Sequence, residues 1–126
     1  MPESATEVVP VLVASADEGT RSQVRLTLGD ERFAVREAAD TDGAIQTIVE
    51  AGPRLLVLDL TLPGAGALAI ARTMAQREGA ARPQVLVLVP RGEAPPADAV
   101  GVDATLVVPT TSFALLHKVD GLLDGS

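Results

Sequence analysis

Leu55-Leu56-Val57-Leu58-Asp59-Leu60-Thr61-Leu62-Pro63-Gly64 is the stretch that most narrows what this chain can become. An unbroken run of Leu and Val reads as a strand buried on both faces, the kind found inside a parallel sheet. A carboxylate at its tail is costly to bury unpaired. In open α/β sheets the carboxyl ends of the strands are where sites are built. Asp59 is therefore the first candidate functional residue, and the plain alternative is a strand-end carboxylate that accepts backbone N–H bonds from the next loop.

Four further apolar runs alternate with helical patterns. Val9–Ala14 is the first strand, with Pro10 tolerable near its start. Asp17 caps a helix to about Leu28 that buries Val24 and Leu28. Phe33–Val35 is a short second strand. Thr41 is placed to cap a helix to about Ala51, with Ala44, Ile45 and Ile48 as its buried stripe, and Gly52-Pro53 stops it. After Leu55–Leu60, a helix over about Ala67–Arg77 carries Leu68, Ile70 and Met74. Val85–Val89 is the fourth strand, and Pro96 opens a short helix near Ala97–Val100. Thr105–Val108 is the fifth strand. A last helix over about Ser112–Leu123 is expected to bury Phe113, Leu116, Val119 and Leu123. Five strands alternating with helices predict an α/β fold: a doubly wound, five-stranded parallel sheet of flavodoxin-like order in three α/β/α layers. Residues 1–7 read as a disordered tail, 8–123 as one domain, and 124–126 as a C-terminal tail or the start of a linker.

Composition sets the remaining bounds. The chain has 126 residues, a formal charge of −7 and no cysteine. Thiol chemistry and thiolate metal sites are excluded, and the acidic balance argues against nucleic-acid binding or attraction to an anionic membrane. The start lacks the features of a signal peptide and no segment is long enough to span a bilayer, so a cytoplasmic location is expected. Gly64-Ala65-Gly66-Ala67-Leu68-Ala69 matches a G-x-G-x-x-A pattern, but it follows the third strand, carries Pro63 in its turn and has no acidic partner for a ribose. His117 is the only histidine, so no triad or histidine metal site can be built. The acidic scatter at Asp30-Glu31 and Glu37-Asp40-Asp42 reads as solvated surface.

Pro53–Leu68 (PRLLVLDLTLPGAGAL), Val11–Val35 and Gly101–Pro109 together resemble the receiver domain of two-component response regulators, over nearly the whole chain. The resemblance implies that Asp59 occupies the phospho-acceptor position. It also implies an acidic, Mg²⁺-binding pair after the first strand, where this chain has Ser15-Ala16. Asp17 and Glu18 are adjacent, but Asp17 is better placed as a helix cap. Asp17 and Asp59 stay as metal-ligand candidates, and Asp17 or Glu18 would have to hold the metal if Asp59 is phosphorylated. The family's hydroxyl residue after the fourth strand is read as Val89, its lysine after the fifth as Val108, and its aromatic switch as Thr105. The segment between those strands is shorter than the family's by about one turn, ~3.6 residues. Phosphoryl transfer depends on such charges and donors. The expected function is thus a non-enzymatic pseudo-receiver, needing no cofactor. It would act by protein–protein contact with a histidine kinase or downstream regulator, or as a homodimer through the fourth helix, fifth strand and fifth helix. A phospho-acceptor receiver using Mg²⁺ is the alternative. A third reading takes the apolar Ala16, Val89 and Val108 as the lining of a small-ligand pocket.

Overall fold

The computed structural model describes residues 8–29, 31–79, 82–94, 96 and 99–124. Its strands are β1 (Val9–Ala14), β2 (Phe33–Ala38), β3 (Leu55–Asp59), β4 (Gln84–Pro90) and β5 (Ala104–Val108), and its helices are α1 (Glu18–Thr27), α2 (Thr41–Ala51), α3 (Ala67–Met74) and α4 (Ser112–Asp124). All strand pairs are parallel, in the order β2-β1-β3-β4-β5. This is the flavodoxin-like order, with the chain reversing direction across the sheet between β1 and β3.

The period-two alternation of the strands sorts the core into two layers. Val11, Val13, Leu55, Val57, Leu86 and Leu88 pack with Val24 and Leu28 at α1 and with Leu115 and Val119 of α4. Leu12, Leu56, Leu58, Val85, Val87 and Val89 face the other way, against Ala44 and Ile48 of α2 and Ile70 and Met74 of α3. The three-layer architecture expected from the sequence is therefore present.

Several local expectations are corrected. Asp40, not Thr41, caps α2: its side chain accepts the Gly43 N–H at 2.8 Å. Thr41 is already helical and its hydroxyl is used elsewhere. Ile45 does not join the buried stripe and stands 48% exposed, while Ala44 and Ile48 are buried. The α-helix α3 ends at Met74, because Gln76 and Arg77 bond back to Thr73 and Met74 in a tightened turn. Phe113 is 80% exposed, since the buried stripe of α4 runs through Leu115 and Val119. Two residues before Leu115 is about 200° around a helix, which carries Phe113 to the outer face.

Between β4 and β5, no helix is formed among the described residues. The short helix expected near Ala97–Val100 lies partly outside them, at residues 97 and 98, and Ala99 and Val100 are not helical. Gly101, at φ 87°, approaches the Ala71 carbonyl of α3 so closely that a Cβ would overlap it. Asp103 then accepts the Val85 N–H at 2.7 Å and pairs with Arg82 at 3.2 Å, fixing the entry to β5. The tail at residues 1–7 and residues 125–126 lie outside the described residues.

Candidate functional site

Alternation along the strands decides which side chains meet at the carboxyl end of the sheet. Asp59 follows Leu55 and Val57 on the layer facing α1 and α4, and Ser15 follows Val11 and Val13 on the same side. Both are buried, Ser15 completely and Asp59 at 7% exposure. The Ser15 hydroxyl donates to Asp59 Oδ2 at 2.6 Å and itself accepts the Asp17 N–H at 3.0 Å. The other oxygen, Oδ1, accepts the Thr61 N–H at 2.9 Å and the Thr61 hydroxyl at 2.8 Å. Asp59 is thus a buried carboxylate with both oxygens satisfied from within the chain, as burial of a charge requires.

Asp17 stands at the head of α1. Its carboxylate accepts from the Thr20 hydroxyl at 2.7 Å and the Thr20 N–H at 3.0 Å. The Thr20 hydroxyl, seconded by its N–H, holds the Asp17 carboxyl below its ordinary range. The capping role expected from the sequence is the observed one.

Above Asp59 lies a cavity of about 420 Å³, bounded by Asp17, Thr20, Gln23, Pro90, Val108 and Pro109 among others. The Val108–Pro109 peptide is cis, and the Gln23 side chain donates to the Thr110 carbonyl at 2.6 Å, tying α1 to the end of β5. Among the described residues, two carboxylates and no basic side chain line this cavity. Among the described residues no three His, Cys, Asp or Glu side chains come together to hold a metal ion.

No protein-family model matches the sequence. The transcriptional regulatory protein ResD of Bacillus subtilis is 31% identical over 123 residues, covering 94% of this chain and 49% of that protein. The chain therefore spans about half the length of this curated relative. Among solved structures, a protein assigned as a response regulator from Chloroflexus aurantiacus superposes with a TM-score of 0.83 at 23% identity, covering 94% of this chain and 99% of its own. The chemotaxis response regulator CheY4 of Vibrio cholerae superposes with a TM-score of 0.79 at 22% identity, covering 91% and 98%. A response-regulator signal receiver domain from Bermanella marisrubri gives 0.75 at 22% identity, covering 93% and 99%. This chain has the fold of response-regulator receiver domains.

The receiver-like fold brings Ser15, Asp17, Asp59 and Val108 to one end of the sheet, and leaves two of the expected site residues out. Ala16 is exposed and does not line the cavity. Val89 is fully buried in the layer facing α2 and α3. The residue at the end of β4 that faces the cavity is Pro90, paired with Val108 in the sheet register. Val89 and Pro90 are one residue apart, and in a strand one residue exchanges the faces. Pro90, like Val89, has no side-chain donor, and as a proline it lacks the backbone N–H as well. Thr61 was also missed. Its signal was present as a hydroxyl residue two positions after an aspartate, the spacing of an Asx turn.

Proposed function

We propose that this receiver domain is a pseudo-receiver: a module of a two-component pathway that signals by protein–protein contact, without efficient Mg²⁺-dependent phosphorylation of Asp59. The observation that carries the reading is the Ser15–Asp59 hydrogen bond of 2.6 Å. A neutral donor stands where the resemblance calls for a metal-binding acid, and the Asp59 oxygens are already engaged. Mg²⁺ demands near-octahedral oxygen ligation and gives up its water reluctantly. Asp17 Oδ2 is engaged by Thr20 at the helix cap, and both Asp59 oxygens are engaged by Ser15 and Thr61. The donor set does not fit the metal, so no step is routed through it. An incoming phosphoryl group would meet two carboxylates with no lysine at Val108 and no donor at Pro90, the opposite of what stabilises its charge.

The partner in this reading is a histidine kinase or a downstream regulator, and Asp59 remains at the phospho-acceptor position without serving as one. A second copy would meet the surface of β5 and α4, where Val107 and Phe113 are exposed; the expected fourth helix does not contribute to it among the described residues. A strictly monomeric protein in sedimentation equilibrium would remove that second copy from the proposal.

The deciding experiment is incubation with Mg²⁺ and acetyl phosphate or beryllofluoride, followed by intact mass and amide shifts. The expected result is no adduct and no shift at Thr61. A stoichiometric adduct that disappears in Asp59→Asn would overturn the pseudo-receiver reading in favour of a working phospho-acceptor.

A further inference from the structure

A second cavity, of about 250 Å³, lies on the opposite layer between α2 and α3. Ile45, Ile48, Val49, Ile70 and Met74 form its walls, and among the described residues the only charged side chain on it is Arg77. Ile45 is 48% and Val49 75% exposed, so apolar surface remains open to solvent at the mouth. Arg77 makes no ion pair or side-chain hydrogen bond among the described residues. In a chain of net charge −7, a cation left unpaired beside an apolar cavity is the complement of an anionic head on an apolar body.

We infer that this cavity binds a short aliphatic carboxylate, with its chain between α2 and α3 and its carboxylate on the Arg77 guanidinium. A water-sized group takes about 30 Å³, so the volume holds about eight such groups, the size of an octanoate chain. The guanidinium offers the paired donors that a carboxylate accepts. The volume is below that of drug-sized pockets and too small for a helix of a partner protein. This site is separate from Asp59, and the inference does not depend on whether Asp59 is phosphorylated.

The test uses sodium octanoate, octan-1-ol and octylamine as probes, with amide shifts and calorimetry on the intact chain. Octanoate is expected to shift the Ile45, Val49, Ala69 and Arg77 amides and to bind at least about tenfold tighter than octanol, since a charge-assisted bond replaces a neutral one. Each methylene removed from the chain weakens binding about fourfold. Arg77→Gln is expected to erase the preference for octanoate over octanol while leaving the melting temperature unchanged. Ala69→Leu, which fills the cavity, is expected to abolish both. Octylamine binding as tightly as octanoate, an unchanged octanoate affinity in Arg77→Gln, or no shift at the lining amides would each overturn the inference. If Ala69→Leu does not fold, the exposed Arg77→Gln variant still decides the matter.

Discussion

At the scale of single residues, Asp59 is held by hydrogen bonds from neutral groups, Ser15 on one oxygen and Thr61 on the other. The Ser15 hydroxyl sits on a buried carboxylate. Hydrogen bonds to charged groups contribute about 1.5–3 kcal/mol, so Ser15→Ala is expected to lower stability by that amount in urea denaturation. In a double-mutant cycle with Asp59→Asn the coupling should reach at least about 1 kcal/mol; additive effects would show that the bond carries no stability. Glu37 illustrates the opposite case, an ion pair near the surface. The Arg25 guanidinium, joined by Arg21, holds its carboxyl below the usual carboxylate range. A lowered folded-state pKa contributes stability that is present above the unfolded value, near pH 4.3, and is lost as the pH falls through the folded value. Glu37→Gln should therefore flatten the stability profile in that acid window. The change is expected to be about 1 kcal/mol or less, because the groups are partly exposed. An acid limb identical to that of the parent would refute the linkage.

At the scale of elements, the sequence identified strands and helices from their periods, but the side-chain assignments at their ends depended on neighbours. Thr41 is the clearest example. Its composition and place before a helical pattern fitted a cap, yet Asp40 takes that role and Thr41 turns across to the β3–α3 loop. Its hydroxyl donates to the Pro63 carbonyl at 2.7 Å and accepts the Gly66 N–H at 2.9 Å. This clamp closes the same loop that presents Thr61 to Asp59. Thr41→Val keeps the shape and removes the hydroxyl, and is expected to cost about 1–3 kcal/mol. Hydrogen exchange at the Gly66 amide should accelerate, while Thr41→Ser should remain close to the parent. Unchanged Gly66 protection in Thr41→Val would remove the clamp. The same dependence on neighbours explains Phe113. An aromatic residue at the start of an apolar helix invited burial, but α4 meets the sheet through Leu115 and Val119.

At the scale of the whole molecule, the segment joining β4 to β5 closes the fold without a described helix, and Gly101 seats it on α3. A Cβ at position 101 would overlap the Ala71 carbonyl, at a backbone φ of 87° that suits glycine alone. Gly101→Ala is therefore expected to lose more than about 2 kcal/mol, read as a fall in the denaturation midpoint; a stable variant would mean that the segment moves freely away from α3. The sequence by itself determined the fold class, because buried parallel strands must be apolar on both faces and helices must alternate with them. It also determined the place of Asp59, because a charge interrupts an apolar run visibly. Only the tertiary structure decided that Pro90 rather than Val89 faces the cavity and that Thr61 and Ser15 share the Asp59 oxygens. It alone placed Ile45 and Val49 beside Arg77, which has no ion-pair partner among the described residues. Strand register and loop closure bring together residues far apart in the chain, and a shift of one position turns a side chain to the other layer.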